Sequence, residues 1–404
     1  VRSYLHVLAT PGAWRFLAPA LIARLPFAML QMGVLLLVQW STGSYGQAGF
    51  ATAAAAVSQA LAGPQTGRLA DRYGQARVLV PQSAVHGLAL GALLVLASAH
   101  ASLPLLVLTA ALVGASAPQV GAMVRARWAH RLRGASTLDT AFAVESITDE
   151  LTFAFAPVLL VALATGFSPV VALLAALALS VVGTLLFAAV RTGAPEPRPA
   201  GPRSSGGVLG LRGVALVAAA FVAMGSVFGS LQVGVTSMTA ELGRPGLAGA
   251  VYGTLAVASA AGGFLYGAVR WKAGAPARLA TGLPLLGVAT SAFIFAGNVP
   301  LLYCAAALAG FVIAPVLITG FTIVEGLVPD GVRTEAFTWL IGANGLGIAA
   351  GSLAAGQLVD RFGAATAFLV PPVTIGMVAL LLLVRLRSLR PPVRATVDRE
   401  RVPL

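Results

Sequence analysis

A chain of 404 residues in which 58% are hydrophobic and 10% charged, with a mean hydropathy of +0.90, is not a water-soluble domain, because such domains carry about a quarter charged residues. Apolar runs of ~20 residues call for membrane-crossing helices and exclude a barrel, whose signal would be alternation over about ten residues. The net charge of +13 would suit a nucleic-acid binder, so the placement of that charge decides.

Taken in chain order, the apolar runs predict twelve spans, at 16–39, 47–67, 78–97, 103–124, 138–164, 168–190, 213–238, 248–269, 279–296, 301–324, 335–359 and 366–385. All but three of the 26 basic residues fall in turns on one side or in the two tails; Arg24 lies inside a span, and Arg244 and Arg361 lie on the other side. This is the positive-inside bias of a multi-pass protein of the cell membrane with both termini cytoplasmic, and not a nucleic-acid footprint. The first run is not a cleaved signal peptide, since Arg24 and Pro26 interrupt it and further spans follow. The stretch 191–212 is rich in Pro, Gly, Ser and Arg and predicts a cytoplasmic linker between two bundles, 1–190 and 213–385. The basic tail 386–404 either lies along an anionic inner leaflet or is simply solvated.

The two halves repeat. Gln31-Met32-Gly33-Val34 recurs as Gln232-Val233-Gly234-Val235, Gly63 as Gly263, Gly67 as Gly267, and Pro118 as Pro315. Matches that fall on Gly, Pro and Gln are harder to produce by chance than matches between alanine-rich helices.

Between the second and third spans stands Gly67-Arg68-Leu69-Ala70-Asp71-Arg72-Tyr73-Gly74-Gln75-Ala76-Arg77. It resembles the loop signature of the major facilitator superfamily, G-x-L-a-D-R-x-G-R-(R/K), with Gln75-Ala76 where the basic pair would stand. The similar run at Gly356…Asp360-Arg361-Phe362-Gly363 lies on the opposite side by span parity. The resemblance implies an all-α membrane fold of twelve helices in two pseudo-symmetric six-helix bundles, a site between them, and alternating access by rocking. It further implies gating by Gly67, Asp71, Arg72 and Gly74. In the family the aspartate faces the start of the eleventh span, where Thr334 is a plausible N-cap.

Acidic residues at membrane depth cluster in the fifth span as Glu145, Asp149 and Glu150. An ionised carboxylate there costs roughly 2.5–3.5 kcal/mol, so each is protonated, paired or facing water, as proton coupling requires. Arg24, at matching depth in the first span, is the expected partner, with Glu145 or Asp149 preferred; a permanent structural ion pair is the alternative. Gln31 and Gln232 occupy equivalent places and are expected to face one another across the substrate site, with Asn344 as a further polar group. Phe228 and Trp339 are candidate apolar walls, with core packing as the alternative. His86 has a side chain suited to a proton relay.

Cys304 is the single cysteine, the four histidines lack ligand spacing, and no nucleophile–base pair or phosphate loop is visible, so neither a metal, a cofactor nor an enzymatic activity is expected. The reading is a monomeric, proton-coupled exporter of a small organic molecule. Proton-coupled uptake of a polar or cationic solute is the alternative, and a non-transporting membrane sensor is the alternative of a different class.

Overall fold

The computed structural model describes residues 2–133, 137–197, 208–244, 247–269, 271–385 and 389. Among these the structure is helical throughout and contains no strand. A short helix α1 (Arg2–Leu8) precedes the long ones: α2 (Ala13–Thr42), α3 (Tyr45–Tyr73), α4 (Gln75–Ser98), α5 (Leu103–Ser116), α6 (Val120–Arg131), α7 (Leu138–Gly166) and α8 (Pro169–Ala189). The second set is α9 (Arg212–Glu241), α10 (Leu247–Ala268), α11 (Ala275–Ser291), α12 (Val299–Leu327), α13 (Arg333–Phe362) and α14 (Val370–Arg385). Helices α5 and α6 make one crossing, Leu103–Arg131. It is broken between Ser116 and Val120, where Pro118 lacks the N–H that would continue the helix.

Among the described residues eleven crossings are long and apolar enough to span a bilayer. The other, α3, has 29 residues but carries Gln47, Ser58, Gln59 and Gln65 along its length. The helices start where local chemistry favours it. Ser44, Ser168 and Asn298 accept the N–H groups of Gln47, Val171 and Leu301, and prolines open α5, α8, α11 and α12. The linker and the tail were predicted at 191–212 and 386–404; residues 198–207 and everything after Arg385 except Leu389 lie outside the described residues.

One closely packed pair repeats between the bundles: α3 with α5 corresponds to α10 with α12. Both crossings rest on glycine. A Cβ on Gly114 would stand 2.0 Å from the Ala55 carbonyl oxygen, and one on Gly310 would stand 2.3 Å from that of Leu255. Where α9 crosses α13, Gly225 meets the carbonyl of Asn344 and Gly347 that of Val222. With no water to drive helices together, membrane bundles gain from such backbone approach, because it multiplies van der Waals contacts.

The bundles meet mainly along α3–α13 and α7–α10. The named cross-bundle contacts lie toward the end that carries the α3–α4 turn and the start of α13. Tyr4 of α1 donates to the carbonyls of Gly263 and Phe264, at 3.2 and 2.8 Å, and Thr140 donates to that of Gly267 at 2.7 Å.

Gly225→Val places side-chain atoms 1.9 Å from a backbone oxygen that cannot retreat without parting α9 from α13. It is expected to cost about 1–3 kcal/mol. Gly49→Ala, with nothing within 4 Å, should not destabilise. Thermal unfolding of the two variants in detergent checks this.

Candidate functional site

Arg24 on α2 is buried, 5% exposed, in a helix that runs through Pro19 and Pro26. Its Nη2 contacts Glu145 Oε2 on α7, and its Nη1 lies 3.5 Å from Asp149 Oδ1. The other oxygen of Glu145 accepts the indole N–H of Trp128 at 2.9 Å. Glu145 is fully buried. The side chain of Asp149, one turn further along, keeps 33% of its surface open. Its Oδ2 is held by Arg125 Nη2 of α6 at 2.5 Å.

Thus the structure brings together Arg24, Glu145 and Asp149, as the matching depths lead one to expect. It adds Arg125 and Trp128, which sequence reasoning placed in or beside a basic turn. Arg125 and Arg127 are both buried, because α6 continues inward-facing for another turn and a half beyond the predicted end of the span. A charge count was the available signal: Arg24 alone leaves the acids of the fifth span in excess. Arg125 also reaches the second bundle, its guanidinium lying 4.2 Å from the centre of the Phe321 ring, a favourable cation–π contact. Arg127 has another task. It donates to Gln75 at 2.8 Å and to the Phe187 carbonyl in the last turn of α8 at 3.4 Å, with its head over the Phe187 ring.

Glu150 does not join Arg24. It is rotated by ~100° from Asp149 and accepts the Ser259 hydroxyl of α10 at 2.8 Å, across the boundary between bundles.

The loop signature is helical rather than a turn. Helix α3 continues through Tyr73, and Gly74, at φ +94°, supplies the whole reversal before α4 begins at Gln75. Asp71 is buried and points at the start of α13, accepting the backbone N–H groups of Thr334 at 3.2 Å and Glu335 at 2.9 Å. Thr334 is therefore inside the helix and not its N-cap. The cap comes from the other bundle, where a carboxylate meets free N–H groups and the positive end of the helix dipole. Gly67 lets the helices close: a Cβ there would stand 2.5 Å from Thr338 Oγ1 and 2.9 Å from the Thr334 carbonyl oxygen. Arg72 is exposed and lies against the Tyr73 ring. Three further contacts hold this end. Arg278 bonds Asp139 at 2.9 Å, while Thr322 donates to the same carboxylate at 2.6 Å. Arg333, paired with Glu325, donates to the Ala129 carbonyl at 3.2 Å.

The polar candidates are arranged otherwise than expected. Gln31 donates to Gln59 of its own bundle at 3.2 Å, and Gln232 is exposed. The two do not meet, because α2 and α9 are not among the tightly packed pairs. Asn344 is half-buried on α13, and its Oδ1 has no partner among the described residues. Phe228 and Trp339 are half-buried and pack against the main apolar core. His86 lies inside the first bundle, its Nδ1 at 3.2 Å from the Val113 carbonyl and 3.3 Å from Ser116 Oγ, and neither of these contacts is to the charged cluster.

The sequence pattern described as the Major Facilitator Superfamily matches residues 17–269 and 216–403. The chain belongs to the major facilitator superfamily. No curated protein matches it by sequence. Solved structures show the same fold. The human organic anion transporter MFSD10 (TETRAN) is 20% identical, with a TM-score of 0.71, covering 94% of this chain and 100% of its own. A bacterial homologue of the iron transporter ferroportin, in an outward-facing state, is 16% identical with a TM-score of 0.75, covering 92% and 98%. The proton:xylose symporter XylE is 14% identical with a TM-score of 0.69, covering 93% and 96%. The protein is a multi-pass membrane protein of two six-helix bundles, and it is a member of a family of secondary transporters.

Removing one partner of a buried ion pair strands the other. Glu145→Gln is expected to cost about 3–5 kcal/mol by leaving Arg24 without its enclosed counter-ion. Asp149→Asn should cost less, because Asp149 is open to its surroundings. Unfolding midpoints followed by tryptophan fluorescence give the ranking.

Proposed function

We propose that this protein is a proton-coupled secondary transporter of a small organic molecule, working by alternating access in the cell membrane. The moving bodies are residues 1–190 and 213–385, joined by the linker 191–212, with both termini cytoplasmic and the monomer as the working unit. One observation carries the reading: carboxylates deep in α7 share arginines with two other helices of the first bundle, and one of those arginines lies against the second bundle. A proton on such a carboxylate weakens its hold on the arginine, and the gain or loss of that bond is available to bias one packing of the bundles over another.

Asp71, Gly67 and Gly74 form the cytoplasmic gate. The Asp71 cap on α13 exists only while the cytoplasmic ends of α3 and α13 are together, so it stabilises the form closed on that side. Arg72, on the surface, serves the positive-inside orientation.

Export by proton exchange is the direction that the resemblance implies. Proton-coupled uptake is the second reading, and the double hold on Asp149 favours it. Neutralising Asp149 leaves two arginines with one carboxylate, a place where a second ligand binds after the proton and not against it. The same pair argues against a cationic solute.

In liposomes containing a trapped pH-sensitive dye, small organic molecules added outside are expected to move protons when they are substrates. Luminal acidification denotes co-transport and alkalinisation denotes exchange. Arg24→Ala and Asp149→Asn should abolish the signal, and full retention in both would remove the coupling mechanism. Asp71→Asn should slow transport severalfold without unfolding the protein; an unchanged rate would reduce Asp71 to a structural cap.

A further inference from the structure

We propose that Arg24 and Arg125 form a binding site for a small organic carboxylate, which Asp149 occupies as an internal stand-in until a proton neutralises it. This rests on the transporter reading and names the substrate's chemical class.

The two carboxylates that share these arginines are not equivalent. Glu145 is fully enclosed and has both oxygens committed, to Arg24 and to the indole of Trp128. It is the permanent counter-ion. Asp149 is the open one, and it alone touches both guanidinium groups. A guanidinium offers five N–H donors suited to a carboxylate's two oxygens. Here the buried Nε atoms of both Arg24 and Arg125 have no hydrogen-bond partner among the described residues. Two cationic heads, each about nineteen-twentieths buried or more, thus hold donors in reserve around a single replaceable carboxylate. Gly121 lies beside both: a Cβ there would be 3.5 Å from Arg125 Nη1 and 3.7 Å from Arg24 Nε. Arg125 also rests on Phe321 of α12, so the site is shared with the second bundle, where a transported molecule must be held.

Among the described residues, the ionisable groups named on the neighbouring helices are engaged elsewhere. Arg24 comes from α2, Arg125 from α6, and Glu145 and Glu150 from α7 itself. Glu150 is turned to Ser259. Helix α8 has no ionisable side chain. Of the groups on α10 and α12, Tyr252 bonds the Leu231 carbonyl, Tyr266 bonds Thr319, and Glu325 pairs with Arg333.

Charge balance then gives coupling. The resting site holds two arginines and two carboxylates and is neutral. A proton on Asp149 leaves one positive charge in excess, which a buried site tolerates poorly. An anion restores neutrality; a neutral solute does not, and a cation makes it worse. The empty site and the site holding both proton and anion are neutral, so these two forms are the ones able to rock between faces. Proton and carboxylate therefore travel together.

The test uses purified full-length protein in detergent, with three probes of one shape at constant ionic strength: benzoate, benzamide and benzylammonium. In Asp149→Asn, benzoate should raise the unfolding midpoint with half-saturation about tenfold lower than in the wild type at pH 7.5, and the other two probes should have no effect. Arg125→Gln added to that variant should remove the benzoate effect. In the wild type, benzoate should bind more tightly at pH 5.5 than at pH 7.5, an arm that holds even where a variant fails to fold. Equal responses to benzoate and benzamide, or no benzoate binding at pH 5.5, would overturn the proposal. Benzoate binding without proton movement in the liposome assay would leave this site standing and overturn the transporter reading. Substrate-driven proton movement without benzoate binding would do the reverse.

Discussion

Four paired charges at membrane depth, three of them buried, govern how the rest of this protein is built. Arg24, Arg125, Glu145 and Asp149 come from three helices, and none of them would be tolerable there alone, since each unpaired charge would cost several kcal/mol. Their pairing requires α2, α6 and α7 to stay in register. The break at Pro118 lets the fourth span change course before α6 presents Arg125 and Trp128 to the cluster. Close helix crossings at Gly114 and Gly183 keep the first bundle narrow enough for these side chains to meet.

The contacts between bundles are of a different kind. Asp71 on the N–H groups of α13, Arg278 with Asp139, Thr322 with the same carboxylate, and Glu150 with Ser259 each join one bundle to the other through few atoms. Hydrogen bonds and partly open ion pairs of this sort are modest individually, because their partners find water when separated. Such contacts suit a boundary that opens and closes. The apolar interior of each bundle, which has no substitute partner, suits a body that moves as a unit.

The pseudo-repeat shows where the halves have diverged. The glycine crossing of α3 with α5 recurs in α10 with α12, since both halves face the same problem of packing helices without water. The charges do not recur. Asn344 stands roughly where Asp149 stands in the first half, and Trp271-Lys272 stands where the first half has Asp71-Arg72. The cluster of Arg24, Arg125, Glu145 and Asp149 is thereby confined to the first bundle, and the second presents to it the ring face of Phe321.

Span number, the two-bundle fold, the superfamily and the depth match of Arg24 with Glu145 and Asp149 were legible in the residues. Span number and the depth match follow from local quantities, apolar run length and rise per residue along a helix, whereas the superfamily and its two-bundle fold were implied by the resemblance of the 67–77 motif. Three things were not legible. Arg125 looked like a residue of a basic turn, because hydropathy marks the end of an apolar run and not the end of a helix. Gln31 and Gln232 occupy equivalent places, yet equivalence in a repeat does not bring two side chains together when the helices that carry them are apart. The α3–α4 signature looked like a loop, although one glycine suffices for the turn and leaves Asp71 on a helix. Composition and periodicity, then, determined what this chain is: a twelve-span membrane protein with acids where acids are costly. Which acid is sealed, which is exchangeable and which faces the other bundle was decided only by tertiary structure, because neighbours on one helix point in different directions and their partners come from other helices.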